Sequence, residues 1–154
     1  MPVKSIPDGY HAVTPYLIVN NATQALDFYR RAFGATESMR LVAPDGKVGH
    51  AEIRIGDSVV MLADEHPEMD CFGPQKPGGA AVSLMIYVEN VDQQFKQAIA
   101  AGAKERKPLA DQFYGDRSGT LEDPYGHVWT LATHIEDVAP DEITRRVQKL
   151  YAKG

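Results

Sequence analysis

The sequence predicts an α+β fold: two tandem β-α-β-β-β modules that form a curved mixed sheet or open barrel-like trough, followed by a C-terminal helix. Three observations predict it. Strand-like segments recur at an offset of 69 residues, each module's first strand runs directly into a capped amphipathic helix, and turn residues divide the remainder into three more strands. Val13 falls on Val82, Val19 on Val88, Asn21 on Asn90 and Ala32 on Ala101. Later Val59 falls on Val128, Leu62 on Leu131 and Ala63 on Ala132.

The elements follow in order. VTPYLIV (13–19) is rich in β-branched and aromatic residues and reads as a strand. Asn21 then caps a helix whose apolar stripe is Ala22, Ala25, Leu26, Tyr29, Ala32 and Phe33, and Gly34 ends it. Strands are expected at 36–42, 48–55 and 58–64, separated by the turns Pro44-Asp45-Gly46 and Gly56-Asp57. The second set opens with VSLMIYV (82–88). Asn90 caps the next helix, Val91, Phe95, Ala98 and Ile99 form its stripe, and Gly102 ends it. Strands at 104–111, 117–122 and 127–133 follow, with a turn at 123–126. A last helix is expected over 139–152, with Ile143, Val147, Leu150 and Tyr151 on one face and Asp141 and Glu142 at its positive start.

These boundaries give one domain, 1–154: module one at 10–64, a Pro- and Gly-containing linker or lid at 65–79, module two at 80–135, and the terminal helix. The apolar content of 44% suits a packed core. A net charge of −5 argues against nucleic acid as partner. The lone Cys71 gives no internal disulfide. No apolar run suggests a membrane span or a signal segment, so the expectation is a cytoplasmic protein.

Strand alternation assigns faces. Val13, Pro15, Leu17 and Val19 are expected against the helix, which leaves Thr14, Tyr16 and Ile18 toward the trough. Ser83, Met85 and Tyr87, then Val59, Met61 and Ala63, and then Val128, Thr130, Ala132 and His134 join them. On the third strand His50, Glu52 and Arg54 face the same way. His50 and Glu52 are the candidate catalytic pair, an imidazole that works as a base near neutral pH and a carboxylate that orients it. Arg117 either clamps a carboxylate or phosphate or pairs with Asp116 to pin its loop. Trp129 alternates away from the trough and is expected under a helix. His11, His66 and His127 are expected at the surface or in turns.

AxDFYxxxFGA at Ala25–Ala35 and DPxGHxW at Asp123–Trp129, on paired β-α-β-β-β units, resemble the vicinal-oxygen-chelate superfamily of glyoxalases, bleomycin-resistance proteins and extradiol dioxygenases. The resemblance covers about residues 10–135. It implies metal ligands on the trough faces of the first, fourth, fifth and eighth strands, at Thr14, Met61, Ser83 and Thr130. Hydroxyls and a thioether are poor ligands for Zn²⁺, Ni²⁺ or Fe²⁺. The sequence therefore resembles a metal-free branch, with no metal and no cofactor expected.

The leading expectation is a homodimeric binder of an amphipathic or aromatic small molecule. Its ligand-binding residues are Thr14, Tyr16, His50, Glu52, Met61, Ser83, Tyr87, Tyr114, Arg117 and Thr130. The alternative is a lyase, isomerase or dioxygenase that uses His50 and Glu52 for proton transfer, or for metal binding together with His134. A third reading is an interaction module whose trough is filled by its own side chains.

Overall fold

The structure of the protein is a computed structural model. It describes residues 8–11, 13–69, 71–75 and 82–152, apart from the side chains at 69, 151 and 152. The order is β1 (Tyr16–Val19), α1 (Ala22–Phe33), β2 (Thr36–Val42), β3 (Val48–Ile55), β4 (Ser58–Asp64), a short 3₁₀ turn (Pro67–Met69), β5 (Ser83–Tyr87), α2 (Val91–Ala101), β6 (Lys104–Asp111), β7 (Asp116–Glu122), β8 (Val128–His134) and α3 (Pro140–Ala152). There are two four-stranded sheets, ordered β1-β4-β3-β2 and β5-β8-β7-β6. In each sheet the first strand runs parallel to the last and the other neighbours are antiparallel. The expected linker positions 76–79 and the Tyr151 side chain lie outside the described residues.

The repeat extends to the caps. Asn21 accepts from Gln24 N and Asn90 from Gln93 N, both at 3.1 Å. Gly34 closes α1 at φ 70°, in the left-handed region that only glycine enters without a Cβ penalty. The first amide of α1, Ala22 N, donates to Asp64 Oδ1 at 2.8 Å, and that of α2, Val91 N, donates to Thr133 Oγ1 at 2.9 Å. Asp64 and Thr133 are 69 residues apart, so each module ties its helix start to the end of its last strand by a different acceptor.

Two local expectations need correction. β1 begins at Tyr16, not Val13, because Pro15 has no N–H to offer a ladder; its carbonyl still accepts from Met61 N at 2.9 Å. Ile99 is 38% exposed, so α2 buries only Val91, Phe95 and Ala98.

The modules meet through their helix sides. Gln94 and Gln97 of α2 donate to the α1 carbonyls of Ala32 and Arg31, both at 2.7 Å, and so satisfy acceptors that a helix C-terminus leaves open. Trp129, 1% exposed, packs on α1 of the other module, with ring centroids 4.9 Å from Phe33 and 5.6 Å from Tyr29. Leu17, Ile53 and Leu62 of the first sheet share one apolar cluster with Leu121, Trp129 and Leu131 of the second.

At the centre of this seam lies Asp123, 3% exposed. Its Oδ2 accepts from the Tyr29 hydroxyl at 2.6 Å and from the Trp129 indole N–H at 2.9 Å. Its Oδ1 accepts from the backbone N–H groups of Tyr125 and His127 at 2.9 and 3.0 Å. Burial, followed by the adjacent carboxylate, holds the Tyr29 phenol well above its usual value, so it stays a donor. His127, expected at the surface or in a turn, contacts the Ile18 carbonyl through Nε2 at 3.0 Å. A carbonyl only accepts, so Nε2 carries the proton. The ring ties the start of β8 to the free edge of β1.

α3 hangs from the end of β8. Arg146 holds it, donating to Phe113 O at 3.0 Å and pairing with Glu136 at 2.7 Å. Among the described residues no helix is long and apolar enough to cross a membrane.

Asp123→Ala strands four donors and should destabilise the fold by about 3 kcal/mol or more in urea denaturation. Tyr29→Phe removes one donor and leaves the carboxylate with three, so it should cost about 1 kcal/mol.

Candidate functional site

The faces of the two sheets that turn away from the helices carry the chemistry. On the first sheet, register places Tyr16, Met61, Glu52 and Met39 in one row across β1, β4, β3 and β2. Tyr16 is 47% exposed and Met39 44%, while Glu52 is buried at 6%. Glu52 is buried because its carboxylate is fully engaged. Oε2 meets His50 Nε2 at 2.8 Å, and Oε1 accepts from the Tyr10 hydroxyl. Those two contacts, Tyr10 first, hold the Glu52 carboxyl below its usual range.

An ionised carboxylate can only accept, so His50 Nε2 bears the hydrogen. Nδ1 lies 2.8 Å from the Tyr16 hydroxyl and accepts from it whenever the ring carries a single proton. Burial, then Cys71 and Glu52, raise the Tyr16 phenol above its usual value. The result is a continuous chain Tyr16–His50–Glu52–Tyr10 with an exposed phenol at one end. Arg54, on the same strand face, turns to the chain start and donates to Gly9 O at 3.3 Å.

On the second sheet the matching row is Met85, Thr130, Thr120 and Lys107 across β5, β8, β7 and β6. The Thr120 and Thr130 hydroxyls are 3.0 Å apart. One register step along, the Tyr87 hydroxyl donates to Asp116 Oδ2 at 2.9 Å. His134 bridges Asp116 Oδ1 at 2.8 Å and Asp137 Oδ1 at 2.7 Å. Both ring nitrogens face carboxylates and both must donate, which favours the imidazolium. Asp116 first, then Asp137, raise the His134 pKa above the usual value.

Between the modules runs a groove of about 650 Å³, open along the edge of β5. Phe33 and Trp129 form its floor, with Leu84, Ile86 and Val59 along its sides. Thr14 of module one and Tyr87 of module two both line it, as does His11.

The expected site residues therefore fall into clusters. Tyr16, His50 and Glu52 are joined by hydrogen bonds, with Met61 beside them in register. Thr14 and Tyr87 meet at the groove, and Ser83 and Thr130 line a second hollow on the β6–β8 wall. Tyr114 packs edge-on against Phe113; the nearby Tyr87 phenol is raised above its usual value first by its hydrogen bond to Asp116, with Tyr114 the least contributor. Arg117 is placed otherwise. It sits on the α2 side of β7, forked onto Asp92 at 2.8 Å and paired with Asp111 at 3.1 Å. It neither faces the trough nor pairs with Asp116, because alternation turns residue 117 away from the face that Asp116 occupies.

Tyr10, Lys107, Asp116 and Thr120 escaped the sequence reading as site residues. Strand parity from His134 and Thr130, paired across to β7, would have pointed to Asp116 and Thr120. Tyr10 belongs to no strand and gave no periodic signal.

The donor set can be tested against a family metal. Thr14, Met61, Ser83 and Thr130 supply hydroxyls and a thioether, which do not suit a divalent cation. The carboxylate opposite Met61 in register, Glu52, has both oxygens committed, and Glu122, which shares a hollow with Ser83 and Thr130, is paired with Arg106. Among the described residues no group of three or more His, Cys, Asp or Glu side chains is placed to hold a metal ion. The residues present do not fit the group.

Residues 10–131 match the family model of the Glyoxalase/Bleomycin resistance protein/Dioxygenase superfamily. The chain belongs to this superfamily. An uncharacterised protein of Mycobacterium tuberculosis is 43% identical over 136 residues, covering 86% of this chain and 79% of that one. Among solved structures, TioX from a Micromonospora species aligns with a TM-score of 0.63 at 25% identity, over 81% of this chain and 99% of that one. An Arabidopsis thaliana gene product aligns with a TM-score of 0.65 at 25% identity, over 80% and 98%. Within DPxGHxW, Asp123 ties the two modules together, and Trp129 packs across the same seam and forms part of the groove floor.

The His134 bridge has a pH signature. A folded-state value above the unfolded one means that protonation stabilises; the contribution is whole below about 6.5 and is lost as pH rises through the higher folded value. The His134 ring-proton NMR titration should have its midpoint above 6.5, and Asp137→Asn should move it down.

Proposed function

We propose that this protein binds a small amphipathic or aromatic compound without using a metal, with the apolar body of the ligand in the groove at the module seam. One observation carries the reading: the groove's volume of about 650 Å³ falls in the range of ligand pockets, and its lining is largely apolar, with hydroxyls at Thr14, Ser58 and Tyr87 and the charged or titratable His11, Asp57 and Glu89 among it. Shape and apolar contact supply the affinity, and the hydroxyls orient the ligand.

The reading takes the protein as a cytoplasmic homodimer acting through one domain per chain. Leu41 at 58% exposure, Val42 at 57% and Met39 at 44% leave apolar surface on the first sheet's edge strand β2, away from the groove. Burying such surface against another copy is favourable.

A second reading draws on the Tyr16–His50–Glu52–Tyr10 chain. An imidazole oriented by a carboxylate and bonded to an exposed phenol is equipped to move a proton to or from a bound compound. This reading predicts exchange of solvent deuterium into a bound ketone, followed by NMR, and loss of that exchange in Tyr16→Phe and His50→Ala.

Trp129 is the chain's one tryptophan and lies in the groove floor, so its emission reports occupancy. Titration with the neutral fluorophore N-phenyl-1-naphthylamine should quench Trp129 saturably. Thr14→Phe, which narrows the groove, should weaken that binding about fivefold or more. Emission that changes only linearly with added probe would overturn the binding reading.

A further inference from the structure

We propose that the wall built by β6, β7 and β8 contains an oxyanion site, which selects small organic acids among the compounds this protein binds. The inference deepens the binding reading and rests on it. A hollow of about 490 Å³ lies on this wall, lined by Ser83, Arg106, Lys107, Thr120, Glu122 and Thr130.

The local sequence explains why two cations face one hollow. In a regular strand Arg106 and Lys107 would point to opposite sides of the sheet. The ladder between β6 and β7 shifts register between Glu105 and Lys107. Lys107 then lies opposite Thr120, while Arg106 reaches Glu122, two residues along β7 on the same face. Bulges of this kind re-aim side chains and cluster beside sites.

The charges are then unequal. Arg106 and Glu122 form an ion pair at 2.5 Å and cancel. Lys107 has no such partner: no hydrogen bond or ion pair among the described residues engages its ammonium. The hollow thus carries one uncompensated positive charge on a chain whose net charge is −5.

Hydroxyls complete the site. Thr120 and Thr130 share one hydrogen bond at 3.0 Å, so whichever donates to the other, the pair keeps one O–H for an outside acceptor. Ser83, exposed at the rim, offers another. An oxyanion beside Lys107 would thus meet an ammonium and two hydroxyl donors, a set that suits carboxylate, sulfonate or phosphonate oxygens. Thr130 lies opposite Met85, which lines the seam groove, so the hollow and the groove adjoin. The ligand class is therefore an amphipathic acid, with an apolar body at the seam and an acidic head on the β6–β8 wall.

Two fluorophores with the same aryl core separate the claims: anionic 8-anilinonaphthalene-1-sulfonate and neutral N-phenyl-1-naphthylamine. Lys107→Gln should weaken the sulfonate about tenfold and change the neutral probe less than about twofold. Added sodium chloride should weaken the sulfonate only. Thr130→Val should act like Lys107→Gln in smaller measure, with the urea midpoint of each variant confirming that it folds. Unchanged sulfonate affinity in Lys107→Gln, with the neutral probe still bound, would overturn the oxyanion site and leave the binding reading standing. Failure of both probes to bind the unaltered protein would overturn both.

Discussion

The buried carboxylate of Asp123 is the constraint on which the rest of the structure depends. A charge buried among aromatic rings is costly unless each oxygen is satisfied. Here each oxygen takes two donors: one takes backbone amides from its own turn, and the other takes the Tyr29 phenol from module one and the Trp129 indole from module two. The same group that closes the turn before β8 therefore orients α1 of the other module. Phe33 and Tyr29 pack on Trp129 in an arrangement that leaves both polar hydrogens paired.

That arrangement decides where ligands can go. With the helix sides joined, the apolar stripes of α1 and α2 are consumed in one shared core. The opposite faces of the sheets remain open, and β1 and β5 remain edge strands. The edge of β1 is covered near Ile18 by His127 and by the passing chain at Gly73, where an added Cβ would come 2.9 Å from the Ile18 carbonyl. Among the described residues no comparable contact covers the edge of β5, and the seam groove lies along it. The groove is thus a consequence of a duplicated scaffold whose two seams were closed unequally.

The periodic part of this design was legible in the sequence. Asn21, Asn90, Gly34 and Gly102 marked both helices, because caps are local and need only their own backbone. Strand parity placed Tyr16, His50 and Glu52 on one face, since alternation depends only on counting within a strand. What could not be read was set by contacts distant in sequence or by broken alternation. Trp129 was expected under a helix, but that its helix would be α1 depends on a contact between residues 33 and 129, far apart in sequence. Arg117 carried the right chemistry for a clamp on the wrong side of β7, where Asp92 and Asp111 claim it. Lys107 was invisible as a site residue because a register shift, not periodicity, turns it to the wall.

The two walls show how a repeat diverges in function while its frame is kept. Register equates Tyr16 with Met85, Met61 with Thr130, and Glu52 with Thr120. The first wall gathers a carboxylate, an imidazole and two phenols into one hydrogen-bonded chain. The second replaces the carboxylate by a hydroxyl and adds a free ammonium. A glutamate at the Thr120 position would put a further carboxylate beside Lys107, in a hollow that Glu122 already lines, and would offset the lysine's charge. With Thr120 there instead, the second wall accepts negative charge while the first retains its hydrogen-bonded chain. The substitution at that one equivalent position gives the molecule a polarity that an exact duplication would lack.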